Sequence, residues 1–175
     1  FLNNLMNGTA NRVSNNSASA QTKSGSQKPS ISSDGKVVAS ESLASNLVAG
    51  DNNNSLDVFV KDLNSGIASS PSLRDFSRAV QLGGNDVSSD SSISADGNFV
   101  AFTSLAGNLV ASDTNGMNDV FVRNLGTGTT AIVSTSSTLQ QSTGDSMQPS
   151  ISSDGKLVAF SSNANNLVAY DNNGI

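Results

Sequence analysis

The side chains best suited to chemistry in this chain are Asp and Asn set at a fixed spacing. Asp51-x-Asn53-x-x-x-Asp57 recurs as Asp113-x-Asn115-x-x-x-Asp119, and a third copy opens with Asp171 and Asn173. Alternating Asp and Asn place side-chain oxygens on one side of a tight loop. A hard cation such as Ca²⁺ takes about six to eight such oxygens, with backbone carbonyls and water completing the shell. The pattern lacks the third acidic position and the distal bidentate Glu of a helix–loop–helix calcium site. The position after the Asn is also inconsistent, being Asn54 in one copy and Gly116 and Gly174 in the others. The same residues suit turn capping, with Asp and Asn bonding their own backbone and Asp57 and Asp119 taking N–H groups at a strand entrance. Both readings stay open on sequence alone: calcium loops, or caps.

Other chemistries have less to stand on. The chain has 175 residues with no His and no Cys. That excludes a Ser-His-Asp or Cys-His relay, a thiolate metal site, a His-ligated zinc and any disulfide. A carboxylate pair could still do glycosidase work, but these Asp residues repeat, whereas a catalytic pair would be unique. The reading is therefore no enzyme within this stretch. A formal charge of −5 with nine scattered basic residues argues against nucleic acid. No apolar run is long enough for a membrane-spanning helix. The chain starts at Phe1 without a signal peptide and reads as a processed chain or a piece of a longer one.

The elements that hold the loops are themselves repeated. Pro149-Ser-Ile-Ser-Ser-Asp-Gly-Lys-Leu-Val-Ala-Phe160 has earlier copies at Pro29 to Ser40 and Ser91 to Phe102, and the Gly-to-Gly spacings are 62 and 58 residues. Such a period signals a repeat architecture. Phe1 to Ser14 aligns without a gap on Phe121 to Ser134. The chain is a single repeat domain of about three units, approximately 1–58, 59–120 and 121–175, entered at the third strand of a unit.

Each unit reads as four short strands. The first is Ser150 to Ser152, stopped by Asp-Gly, a type I′ hairpin signal that needs positive φ at both residues. Lys156 to Phe160 follows, then a long loop, then Asp119 to Arg123, whose Val120, Phe121 and Val122 suit packing on both faces. A tight turn leads to Thr129 to Ser134, and the connector Thr135 to Gln148 returns to the next unit. No segment has a useful helical period. The fold class is all-β, with β-propeller blades of four antiparallel strands. A β-solenoid or a duplicated sandwich is the alternative.

Pro-Ser-Ile-Ser-x-Asp-Gly-Lys-x-Val-Ala-Phe followed by Asp-x-Asn-Gly-x-x-Asp-Val-Phe-Val-Arg-Asn-Leu resembles the WD-repeat-like β-propeller repeats of the TolB type, over nearly the whole chain. The resemblance implies a ring of about six to eight blades. Three units would then be part of a larger propeller, or chains would assemble. It also implies a bacterial setting and a periplasmic, secreted or cell-surface location.

In a propeller the two tight turns lie on one face and the two long loops on the other. Long loops on a rigid scaffold are where binding is usually placed. The expected function is a noncatalytic interaction or scaffold module binding a protein or glycan. A calcium-stabilised structural segment and the propeller part of a polysaccharide lyase or hydrolase are the alternatives. The repeated Leu-Val pairs are expected to pin the long loops, and Phe59, Phe102, Phe121 and Phe160 to form core. Tyr170 is a contact candidate, and the lone Glu41 has no repeated role. Arg74 and Arg78 sit in an irregular stretch, Ser69 to Val80, that lengthens the first spacing.

Overall fold

A computed structural model describes residues 1–15, 19–48, 51–64, 80–81 (backbone course only) and 84–171. Twelve strands are present among them. Two complete blades are four-stranded antiparallel meanders. One comprises β3 (Ser26–Ile31), β4 (Val37–Ser42), β5 (Asp57–Asp62) and β6 (Val80–Gln81). The other comprises β7 (Ser88–Ile93), β8 (Phe99–Ser104), β9 (Asp119–Asn124) and β10 (Thr129–Ile132). Two hairpins flank them, β1 (Leu2–Asn4) with β2 (Thr9–Asn11), and β11 (Ser146–Ile151) with β12 (Val158–Ser162). The first is the outer half of a blade and the second the inner half, as the repeat phase requires.

Blades stack face to face through their first strands. β7 packs against β3, β4 and β5, and β11 packs against β7, β8 and β9. Short antiparallel four-stranded sheets stacked in series are the architecture of a β-propeller, here a partial one.

Serine does much of the local work, which is how a chain only 35% apolar builds this fold. At the turn end, Ser32, Ser94 and Ser152 each donate a hydroxyl to Asp34, Asp96 and Asp154 at 2.7, 2.6 and 2.7 Å. The same hydroxyls accept the backbone N–H of Val37, Phe99 and Leu157, each at 3.0 Å. The turn differs from the expected type I′. Of each Asp-Gly pair only the glycine has positive φ, near +70° in all three copies. Gly35 N–H bonds Ser32 O and Ser32 N–H bonds Val37 O. The loop is therefore four residues long and built on an ordinary turn, with glycine alone in the left-handed region.

First strands begin earlier than expected, at Ser26, Ser88 and Ser146. Each contains a bulge, and Lys28, Asp90 and Gln148 there take φ of 45°, 54° and 55°. A bulge interrupts the two-residue alternation from which a strand is read. Two bulge residues also meet between blades. Lys28 Nζ lies 2.7 Å from Asp90 Oδ1 and 3.5 Å from Glu41 Oε1. Glu41 is fully buried and accepts the Asp90 N–H at 2.5 Å. Glu41 thus ties two blades together, at a repeat position that holds Thr103 and Ser161 in the other copies.

The main core spans both full blades: Ala39, Val58, Val60, Val100, Phe102, Phe121 and Leu125. Phe102 and Phe121 stack with centroids 5.8 Å apart. Phe59 sits in a smaller cluster with Ala44 and Leu47 under the first long loop. Phe160, on the edge strand, is only half-buried. Among the described residues there is no helix, hence none long and apolar enough to cross a membrane.

Candidate functional site: the long-loop face

The loops between second and third strands and the connectors between blades emerge at one end of the sheets, opposite the Ser-Asp-Gly turns. They are stitched together by a repeated device. Asn46, Asn108 and Asn166 each accept a connector N–H, from Lys23, Asn85 and Thr143, all at 3.0 Å. Asn46 and Asn166 also donate to the carbonyls of Gln21 and Gln141, at 2.9 and 2.8 Å. Below them Ser42, Ser104 and Ser162 cap the N–H of Ala44, Ala106 and Ala164 at 3.1, 3.0 and 3.1 Å. Those three alanines are buried. Asn108 and Ala106 leave so little room that a β-carbon on Gly84 would lie 2.1 Å from Asn108 Oδ1. The signal for this clamp was in the sequence, since the Asn and Ala recur in every copy. Spacing could not show that they reach a connector about two dozen residues away.

The Asp/Asn motif lies beneath this clamp. In the second copy Asp119 is fully buried and Asp113 nearly so. Asp119 accepts from Ser134 Oγ at 2.5 Å, Gln141 Nε2 at 2.9 Å and Asn115 Nδ2 at 2.9 Å. Its donors are therefore side chains, not the loop N–H groups expected. Gln141 Nε2 also donates to Asp113 Oδ1 at 2.8 Å, so one amide bridges the two carboxylates. Burial raises the Asp119 pKa above the ordinary range; Ser134, Gln141 and Asn115 oppose this, and the nearby Asp113 charge adds to it. Asn115 Oδ1 is occupied by the Met117 N–H at 2.8 Å, and Asn115 Nδ2 also reaches Ser142 O at 3.0 Å. Gly116, at φ +67°, carries the turn between them.

The first copy repeats the plan. Asn53 Oδ1 accepts the Ser55 N–H at 2.9 Å, and Nδ2 reaches Gly84 O at 2.9 Å and Asp57 Oδ1 at 3.3 Å. Asn54 takes the left-handed φ of 56° that Gly116 takes in the second copy. Asp57 is fully buried, and burial raises the pKa of half-buried Asp51. In the third copy Asp171 is half-buried, and Asn173 lies outside the described residues. So do Gly174, Arg74 and Arg78.

For a cation, the second copy offers Asp113 Oδ2, which is buried with no partner. The other oxygens of Asp119 and Asn115 already accept N–H or O–H donors. The Gln141 amide stands between the two carboxylates, where a cation would have to sit. Among the described residues no group of three Asp, Glu, His or Cys could hold a metal. The donor set thus fits loop closure better than Ca²⁺.

The outer surface of this face is part apolar. Leu43 and Leu105, at matching repeat positions, are 57% and 36% exposed, and Tyr170 is 95% exposed. Leu139 projects from the connector at φ 61° and is also exposed. The Leu-Val pairs pin the loops only in part. Leu47 is buried and Leu109 and Val110 pack on the core, but Val168 in the third copy is exposed.

No family model and no curated protein matches the chain. Solved structures similar to it include TolB from Acinetobacter baumannii, at 19% identity and TM-score 0.43, covering 75% of this chain and 25% of that one. Another is the β-propeller domain of the Trilobed protease from Pyrococcus furiosus, at 14% identity and TM-score 0.45, covering 79% and 34%. A third is Pyrococcus horikoshii acylaminoacyl peptidase, at 16% identity and TM-score 0.42, covering 77% and 16%. The chain spans about a third or less of the length of each. The chain's own sheet topology and its repeated motifs agree on a partial β-propeller.

Proposed function

We propose that this chain is a noncatalytic interaction module whose long-loop face binds a protein or a glycan, outside the bacterial cytoplasm. The observation that carries the reading is the pairing of exposed Leu43, Leu105 and Tyr170 with loops held by the Asn46, Asn108 and Asn166 clamps. Exposed apolar groups on pre-ordered loops contribute binding energy without the entropy cost of ordering a flexible segment. The repeated acidic motif gives no unique catalytic pair, which favours a binder over a lyase or hydrolase. Screening the chain against a displayed peptide library and a glycan array tests the proposal. Retained ligands should be lost by a Leu43→Ser/Leu105→Ser/Tyr170→Ser variant that melts like the parent. Equal binding by parent and variant would sink it, and so would release of new sugar ends from polysaccharide by the chain alone.

A second reading keeps Asp51, Asn53, Asp57, Asp113, Asn115, Asp119, Asp171 and Asn173 as calcium loops of a structural segment. Its support is the partnerless Asp113 Oδ2. It requires Tm to rise with millimolar Ca²⁺ and fall with chelator.

A further inference from the structure

Most of the long-loop face repeats from blade to blade. A residue that recurs in every copy serves the blade, whereas a residue that changes at a matched, solvent-facing position is free to serve a ligand. The Asn46, Asn108 and Asn166 clamps and the Ser42, Ser104 and Ser162 caps are the same in all three copies. The residues at the rim of the two blade-to-blade seams are not.

At the first seam the rim is apolar. Val87 O accepts the Leu105 N–H at 3.0 Å and the Ser104 hydroxyl at 3.1 Å. Ser88 N–H reaches across the seam to Leu56 O at 2.7 Å. These bonds set Leu56, Val87 and Leu105 side by side. Val87 is 40% exposed and Leu105 is 36% exposed. Both belong to the second blade, which is packed by β3, β4 and β5 on one side and by β11 on the other. Their exposure therefore does not come from a missing neighbour.

At the second seam the same backbone bonds carry different side chains. Asp145 O accepts the Asn163 N–H and the Ser162 hydroxyl, both at 3.1 Å, and Ser146 N–H reaches Asn118 O at 2.7 Å. Asn118, Asp145 and Asn163 thus take the places of Leu56, Val87 and Leu105. Asn118 also fixes the carboxylate: Asp145 Oδ1 accepts its backbone N–H at 2.9 Å and its Nδ2 at 3.0 Å. Asp145 is half-buried, and among the described residues no Lys or Arg forms an ion pair with it. The surrounding charge has one sign. The loops and connectors of this face carry Asp51, Asp86, Asp113, Asp145 and Asp171. Among the described residues Lys23 and Arg12 alone oppose them, and Arg12 lies over the Phe1 ring.

We propose, resting on the reading that this face binds a protein, that its occupant is an extended peptide segment pairing an apolar residue with a basic one. The apolar side chain seats on Leu56, Val87 and Leu105, and an Arg two residues along meets Asp145. Packed sheets lie about 10 Å apart and two extended residues advance about 6.7 Å, so the long Arg side chain covers the remainder. Arg can give a carboxylate two parallel N–H bonds, and a carboxylate already held by Asn118 loses little freedom on pairing. An acidic glycan would meet repulsion on this face, and a neutral one would leave the Asp145 charge unmatched.

Displayed-peptide libraries panned on the immobilised chain test this. Each is random outside a fixed core of Leu-x-Arg, Leu-x-Glu or Ser-x-Arg. Leu-x-Arg should be retained best, with either exchange costing about tenfold in affinity. Asp145→Asn keeps the acceptor for Asn118 and removes only the charge. It should erase the preference for Arg over Glu and leave the preference for Leu over Ser. Val87→Ser/Leu105→Ser should do the reverse. On the unmodified chain, salt at about 0.5 M should weaken Leu-x-Arg several-fold and bring it level with Leu-x-Glu. Equal retention of Leu-x-Arg and Leu-x-Glu at low salt would overturn the proposal. The broader reading would survive that result if Leu43→Ser/Leu105→Ser/Tyr170→Ser abolished the binding. Retention of a glycan and of no peptide would also overturn the proposal alone, and a chain that retains neither would sink both.

Discussion

Gly155 lies against the ring of Phe99 in the preceding blade: a β-carbon on Gly155 would sit 2.3 Å from Phe99 Cδ2. Gly97 has the same relation to Val37, at a looser 3.0 Å, and Gly35 has nothing within 4 Å. All three share a φ near +70°. Alanine at any of them therefore costs about 1 kcal/mol for the left-handed backbone alone. Gly155→Ala should cost about 1–3 kcal/mol more than Gly35→Ala, because the ring must move within a packed seam. Gly97→Ala should fall between them. Urea unfolding of the three variants checks the order, and equal losses would mean that the turns do not pack between blades.

Gln141 is expected to be the most sensitive polar residue of the loop face. Gln141→Ala removes the donor shared by Asp113 and Asp119, both buried carboxylates. Hydrogen bonds to charged groups contribute about 1.5–3 kcal/mol each, and an orphaned buried carboxylate adds its own desolvation. A loss of roughly 2–4 kcal/mol in urea unfolding is expected. Gln141→Glu should be at least as damaging, since it sets a third negative charge beside two.

Stability should depend on pH with two opposing limbs. Asp34, Asp96 and Asp154 have pKa values lowered first by their Ser hydroxyl bonds, then by the N–H of Lys36, Asn98 and Lys156. Their contribution is present above the ordinary aspartate value of about 3.9 and is lost as pH falls through the lower folded value. Asp119 and Asp51 run the other way, because burial raises both. Their folded forms hold the proton more tightly, so that contribution is present below the ordinary value and lost as pH rises through the folded one. Tm measured from pH 2.5 to 7 should show both limbs. Asp34→Asn/Asp96→Asn/Asp154→Asn should flatten the acid limb, and Asp119→Asn should reduce the upper one while Asp51 remains.

Phe121 is fully buried and stacked on Phe102 across the β8–β9 pair. Phe121→Ala should cost about 3–5 kcal/mol and Phe121→Leu clearly less. Phe1→Ala, at the matching position of the exposed β1–β2 hairpin, should leave the stability of the chain unchanged within about 0.5 kcal/mol. Comparing the two by calorimetry tests whether the repeat position or its partner sets the energy.

Chelation gives a further measurement. With the Gln141 amide between the carboxylates and Asn115 Oδ1 closing its own turn, Tm should be the same in millimolar Ca²⁺ and in chelator. A calcium-dependent rise would instead favour the calcium-loop reading.

The sequence by itself determined the all-β class, the four-strand unit, the phase at which the chain enters its repeat, and the face that carries the long loops. These are local properties: turn residues, two-residue alternation and a period in a single string. It also located Asp51, Asn53, Asp57, Asp113, Asn115 and Asp119. Tertiary structure decided what surrounds them. Gln141 and Ser134 reach Asp119 from 22 and 15 residues away, and Lys28 reaches Asp90 from 62. None of those spacings is a motif. The bulges at Lys28, Asp90 and Gln148 were hidden because a left-handed residue breaks the alternation that marks a strand. Side-chain partners across blades follow from stacking, which depends on where strands lie in space and not on any pattern along the chain.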